Sequence, residues 1–388
     1  MKGKVFFAAQ LNERKVNWVK TKAFTLFLVI LFLAQPAIAS TYPLTITPGR
    51  SWPMAIVVDS TRGLVYFDAI SGENPPTGYS FGVINASTHE VIKVLPLDID
   101  SGPMVLDQKT GDVYVAGQTN MTILVYDQTS QTFVRQINID EPVRSMAYDG
   151  SVSLDLFFTS GYQVFALNPQ TGEVVGNVTL ANHVDGIVLD SSNGRLYVGQ
   201  YPENVISVLE ATSLAQVGTI SLPGCCALQF ALDDATQTLY AVTGTNDVYV
   251  VNTDTDSFVK SFQVTSYAQN STNTIAVDND TERLYVASSP GGSILEMDAA
   301  GNIVQHYQVQ SQVAALAIDT KTQELYASNY HSITVFDAAR SRTFLFAIVI
   351  GVVVAGVGVI FVYLYLKRRD ERERMKVQSG WVGQPEAK

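Results

Sequence analysis

The chain has 388 residues and carries 25 Lys+Arg against 36 Asp+Glu, a net charge of −11. An acidic chain of this kind does not bind nucleic acid through a general positive field. It also lacks a Gly-rich phosphate loop, a G-x-S-x-G elbow and a Cys/His catalytic pairing, which removes the common signatures of phosphoryl and acyl transfer. Residues 1–39 read as a secretory signal. Lys2, Lys4, Arg14, Lys15, Lys20 and Lys22 are its basic part, residues 24–33 its apolar core, and Ala37-Ile38-Ala39 its cleavage site. The apolar core is too short to cross a bilayer.

Residues 42–47 alternate as a strand should and precede a repeat. Each repeat has an Asp closing an apolar run, a polar turn, and an aromatic seven residues on: Asp59/Tyr66, Asp107/Tyr114, Asp190/Tyr197, Asp233/Tyr240, Asp278/Tyr285 and Asp319/Tyr326. A looser third copy, Asp149 with Phe157 or Phe158, fills the remaining place. The anchors lie 48, 42, 41, 43, 45 and 41 residues apart, a period of propeller blades. An Asp that ends a strand and enters a polar turn caps that turn, so the anchors read as structural. A third strand ends in Asp, Asn or Glu at Asn85, Asp127, Asn168, Glu210, Asn252, Asp298 and Asp337, and an alternating fourth strand follows. The expectation is an all-β, seven-bladed β-propeller over residues 40–342. The last repeat lacks a fourth strand before Arg340, and residues 42–47 are expected to supply it, closing the ring and removing an open edge.

Gly194-Arg195-Leu196-Tyr197-Val198 and Glu282-Arg283-Leu284-Tyr285-Val286, with the strand endings above, resemble YVTN-type β-propeller repeats over residues 52–340. Ser151-Val152-Ser153-Leu154-Asp155 in the third repeat departs from the pattern. The resemblance implies a surface-layer or secreted propeller and no particular reaction.

Residues 343–366 carry no charge and are long enough for a transmembrane helix. Lys367, Arg368, Arg369, Arg372, Arg374 and Lys376 follow and place the tail, residues 367–388, in the cytoplasm. The expectation is a single-pass protein of the cell membrane with its N-terminal domain outside. Ala347, Gly351 and Ala355 form a small-residue stripe of the kind that packs helices. Residues 40–342 hold 12 Lys+Arg and 31 Asp+Glu, a field that favours cations or basic partners and also keeps a crowded surface soluble. The N-x-S/T sequons at Asn85, Asn120, Asn177, Asn270 and Asn279 are candidate N-glycosylation sites.

Cys225 and Cys226 are adjacent in the connection into blade five. They could form a strained vicinal disulfide, remain free thiols, or capture a soft metal. Asp98, Asp100, Asp140, Glu141 and Asp185 fall in successive inter-blade connections, a candidate ligand-binding rim at the channel mouth where Ca²⁺ could bind. No other cofactor is expected. His183 and Asp185 share one connection, and Tyr330 and His331 lie in a second-to-third-strand loop of the same face, so a His183–Asp185–His331 grouping is conceivable. The enlarged loop at residues 69–80, flanked by Tyr79 and Phe81, is a further binding candidate. Some seven-bladed propellers hydrolyse lactones or open cyclic peptides with His and Glu at the channel mouth, and this chain has few of either there. The reading is therefore a membrane-anchored, extracytoplasmic binding module for a cell-envelope protein, a peptide or a polysaccharide. A lactonase- or lyase-like hydrolase is the alternative.

Overall fold

The computed structural model describes residues 44–47, 51–71, 78–100, 102–148, 150, 155–224, 227–243, 247–264, 272–288, 291–338, 358 and 360–375. The signal at 1–39, Asp149, residues 151–154, residues 72–77 of the enlarged loop, Cys225, Cys226, Asn270, most of 343–366 and residues 376–388 lie outside them.

Short β-branched and aromatic runs broken by turn residues fold as antiparallel strands. The first, β1 (Leu44–Ile46), stands apart from the run that follows. Blade one is β2 (Ser51–Asp59), β3 (Leu64–Ser71), β4 (Gly78–Asn85) and β5 (Val91–Leu97). Blade two is β6 (Met104–Leu106), β7 (Val113–Ala116), β8 (Thr122–Asp127) and β9 (Thr132–Asn138). Blade three is β10 (Ser145–Ala147), β11 (Leu156–Ser160), β12 (Gln163–Leu167) and β13 (Val174–Thr179). Blade four is β14 (His183–Asp190), β15 (Arg195–Tyr201), β16 (Val205–Glu210) and β17 (Gln216–Ser221). Blade five is β18 (Ala227–Asp233), β19 (Thr238–Thr243), β20 (Asp247–Asn252) and β21 (Ser257–Gln263). Blade six is β22 (Thr272–Asp278), β23 (Arg283–Ser288), β24 (Ser293–Met297) and β25 (Ile303–Gln308). Blade seven has β26 (Leu316–Asp319), β27 (Glu324–Asn329) and β28 (Ser332–Asp337), and its sheet runs β1-β28-β27-β26. The closing strand is thus supplied from the other end of the domain, with Leu44, Thr45 and Ile46 opposite Val335, Thr334 and Ile333. Neighbouring innermost strands touch around a full circuit, from β2 through β6, β10, β14, β18, β22 and β26 back to β2.

One face of the ring carries the first-to-second and third-to-fourth strand turns, and is called here the turn face. Its chemistry repeats. Asp59 Oδ1 accepts the N–H groups of Thr61 (3.1 Å) and Arg62 (3.0 Å), Asp107 those of Lys109 (2.9 Å) and Thr110 (3.2 Å), and Asp319 those of Lys321 (3.0 Å) and Thr322 (3.3 Å). Asn85, Asn168 and Asn252 do the same at the ends of third strands. The fourth residue after the anchor reverses the chain with a positive φ. It is Gly63, Gly111 and Gly194 in three blades, but Gln237 (51°), Glu282 (53°) and Gln323 (59°) in three others. The recurrent Asp and Asn are therefore turn caps, as expected.

Each pair of neighbouring blades shares an apolar core. Tyr66, Phe81, Leu97, Leu106, Val113 and Tyr126 fill the seam between blades one and two. Ile46 joins Ile56, Val65, Tyr326, Ile333 and Val335 in the closing seam. The aromatic of the repeat is the plug of each seam. In blade three the register settles which phenylalanine plays that part. Phe157 lies opposite Ala147, as Tyr197 lies opposite Val188, and it packs in the seam towards blade four. Phe158 packs towards blade two. Outer strands add a second tie, since Lys93 donates to the Gln131 carbonyl, Arg135 to Gln170 and Lys260 to Ala299, each in the next blade.

Residues 360–375 form a helix, and among the described residues no helix is long and apolar enough to cross a membrane. Of the span expected at 343–366, only 358 and 360–366 are described, and there Ile360, Phe361, Val362, Tyr363, Leu364 and Tyr365 are exposed.

Candidate functional site

The opposite face carries the blade-to-blade connections and the second-to-third strand turns, and is called here the connection face. Its backbone is held by polar ends of second strands that differ from blade to blade. Gln200 Oε1 accepts the Asn182 N–H at 3.1 Å, and its amide donates to Ser207 at 2.6 Å. Asn329 donates to Thr334 at 2.7 Å, and Thr243 accepts the Asp247 N–H at 3.2 Å. Asp68 is fully buried in β3, where blades two, four and six have Ala116, Gly199 and Ala287. Its Oδ1 accepts the Ala55 N–H (2.7 Å) beside a bulge in β2, and its Oδ2 the Gly102 N–H (3.2 Å) of the next blade. Blade seven solves the same problem with Ser328, whose hydroxyl accepts the Ala315 N–H at 2.7 Å.

The expected acidic rim divides into two kinds of residue. Asp98 and Asp140 are exposed. Asp100 turns inward, where Oδ2 accepts the Thr119 N–H and hydroxyl, both at 2.8 Å, and its own N–H donates to Asn120 Oδ1 at 2.7 Å. Glu141 accepts the Ser160 hydroxyl at 3.4 Å. Asp185 is buried and takes the Arg144 guanidinium at 2.9 Å, while its carbonyl accepts the Thr159 hydroxyl at 2.9 Å. These bonds pin blade three to blade four. Among the described residues no three His, Cys, Asp or Glu side chains converge as a group able to hold a metal ion.

The histidines also part company. His183 lies opposite Tyr201 in the β14–β15 register and meets the Tyr162 ring edge-on, with centroids 5.7 Å apart. His331, at φ 65°, packs on Tyr330 at 3.9 Å, and Tyr330 meets Trp52 edge-on at 4.6 Å. Blades four and seven are not neighbours in the ring, so the grouping of His183, Asp185 and His331 does not form. Two aromatic clusters stand in its place, Trp52–Tyr330–His331 where blade seven meets blade one and Tyr162–His183 where blade three meets blade four. Of the enlarged loop, Tyr79 is half-buried, but Phe81 is core in the first seam rather than a binding residue.

Sequence reasoning passed over Trp52, Tyr162, Tyr201, Arg144 and Asp68. A signal was available for two of them, because Tyr162 in a second-to-third strand turn and Tyr201 at the end of β15 stand, like Tyr330, where small polar residues are the rule. Of the sequons, Asn177 is exposed on β13, while Asn85 and Asn120 use their side-chain oxygens as backbone acceptors and Asn279 is half-buried.

On the turn face, burial is the main cause that pushes the phenols of Tyr114 and Tyr240 up to about 12, with the charge of Asp107 or Asp233 adding to it. Tyr66, Tyr197 and Tyr326 are raised the same way, burial again first. This face is built for packing.

No family model matches the chain, and no curated protein matches it by sequence. Solved structures do resemble it. The β-propeller domain of Cps50 (Swd1) from Myceliophteria thermophila superposes with a TM-score of 0.63 at 12% identity, covering 76% of this chain and 98% of that one. A chain of the Mitotic Checkpoint Complex superposes with a TM-score of 0.64 at 14% identity, covering 78% of this chain and 94% of that one. At these identities the likeness shows the fold alone, an all-β seven-bladed propeller.

Proposed function

We propose that this chain is a protein-interaction module, a propeller whose connection face receives a partner at the outer surface of a membrane. One observation carries the reading. Trp52 at the start of β2, Tyr201 at the end of β15, and Tyr162 and Tyr330 in second-to-third strand turns are exposed on one face of a rigid ring, where a monomer gains nothing from exposing them. Aromatic side chains of this kind supply much of the binding energy in protein interfaces. The setting in the Mitotic Checkpoint Complex of one similar propeller agrees with a scaffold role. The repeat-family reading rests on the resemblance around Tyr197 and Tyr285. The membrane reading rests on the uncharged run at 343–366 and the basic cluster from Lys367.

Two experiments test this. Pull-down from solubilised membranes should recover a partner with the native chain and lose it with Trp52→Ala/Tyr330→Ala. Equal recovery by both would move the site off this face. Protease added to intact cells should digest the propeller and spare the tail beyond Lys367. A tail cut from outside would reverse the orientation.

A further inference from the structure

Among the described residues the connection face is short of positive charge. Arg62, Lys109, Arg195, Arg283 and Lys321 lie at turn-face ends of strands or in turn-face turns. Lys93, Arg135 and Lys260 lie on outer strands and are engaged by carbonyls of the next blade. Among the described residues of the propeller, Arg144 is the one Lys or Arg of the connection face, and Asp185 holds it at 2.9 Å. The same face exposes Trp52 (39%), Tyr330 (41%), Tyr201 (50%) and Tyr162 (55%). Asp98, Asp140 and Glu203 stand exposed on it in the connections and turns of blades one, two and four. The negative faces of aromatic rings and the carboxylates of the same face attract the same ligand charge, and among the described residues no unpaired Lys or Arg competes for either.

We infer that the connection face docks a Lys/Arg-rich peptide segment of a partner protein. The Trp52–Tyr330 pair is the platform for a cationic side chain, and Asp98, Asp140 and Glu203 are the charged rim that steers and orients it. This deepens the interaction-module reading and rests on it. Charge complementarity decides the occupant. A neutral polysaccharide would use the rings and ignore the rim, and an acidic polymer would be repelled.

The test uses the full-length chain in detergent with Trp18→Phe and Trp381→Phe, which leaves Trp52 as the reporter. Oligo-arginine is titrated, with oligo-glutamate and cellohexaose as comparison probes. Oligo-arginine should change Trp52 fluorescence saturably, and binding should weaken with added salt. The rim variant Asp98→Asn/Asp140→Asn/Glu203→Gln should raise Kd about tenfold, the effect of three exposed charge pairs. Tyr330→Ala should raise it by about tenfold, the loss of a cation–π contact. A turn-face control, Glu90→Gln/Asp254→Asn/Asp280→Asn, should stay within about twofold, since its charges lie on the far side of the ring. If the control weakens binding as much as the rim variant, oligo-arginine is following net charge and the inference is overturned. It is equally overturned if cellohexaose alone perturbs Trp52. If a partner is captured through Trp52 and Tyr330 while oligo-arginine does not compete, the cationic peptide is wrong and the interaction module stands.

Discussion

The two faces of the ring obey different rules. On the turn face six blades repeat the same device at the first-to-second strand turn, an Asx cap followed by a residue of positive φ, and each repeat aromatic plugs the seam beside it. On the connection face the polar anchor changes from blade to blade. The polar anchor is Asp68 in one, Gln200 in another and Asn329 in a third, and the loops end in exposed rings. Periodicity in the sequence therefore reports the turn face, where the capping bonds are local. The face free to vary is the one on which exposed aromatics and carboxylates gather. A repeat protein advertises its architecture and conceals its site.

The largest expected effect tests whether the ring needs its closing strand. Deleting residues 44–47 uncovers the β28 edge and the buried Ile46 pocket. A loss of about 3–5 kcal/mol is expected, from the apolar burial of Ile46 plus the ladder bonds. The melting temperature should fall by about 10 °C, with self-association through the open edge seen by size-exclusion chromatography. A melt within about 2 °C of the native chain would show that blade seven stands on three strands.

A second experiment sets one face against the other. Asp59→Ala removes the acceptor of the Thr61 hydroxyl (2.6 Å), two backbone N–H groups and the Arg62 ion pair (2.8 Å), and should cost about 2–3 kcal/mol. Asp98→Ala, on the connection face, should stay within about 0.5 kcal/mol. Equal losses in denaturant titrations would erase the distinction between structural and displayed carboxylates.

Alkaline pH probes the seam plugs. The folded chain favours the neutral phenol, so Tyr114 and Tyr240 have folded values raised to about 12 from an ordinary 10. A raised value means that stability is full below pH 10 and is lost as pH climbs towards 12. The loss is about 1.4 kcal/mol per pH unit per tyrosine. Melting should therefore drop steeply above pH 10, and Tyr240→Phe should flatten the slope by one phenol's share. An unchanged slope would mean that Tyr240 ionises without loss of packing.

The smallest effect is a gain. Glu282 pays for a positive φ of 53° in a turn where blade four uses Gly194. Glu282→Gly should stabilise by about 0.5–1 kcal/mol, and a loss in chemical denaturation would show that the Glu282 side chain holds the turn in a way glycine does not.

Much of this architecture is local, and local physics is legible in sequence. An Asx cap bonds residues two and three positions on, so Asp59, Asp107 and Asp319 announce their turns within a short window. The count of anchors sets the number of blades, and the missing strand before Arg340 points to the one at Leu44. Side-chain encounters across blades are another matter. The circular order of blades turns a large sequence separation into contact, bringing Trp52 to Tyr330 and Arg144 to Asp185, and it holds His183 away from His331. The choice of Phe157 over Phe158 as a seam plug depends on register with β10, which a single strand does not encode. Whether an acid is displayed or consumed was likewise decided by the tertiary structure. Asp98 and Asp100 are two residues apart, yet one faces solvent and the other is spent on the Thr119 backbone, because only the folded neighbouring turn supplies that donor.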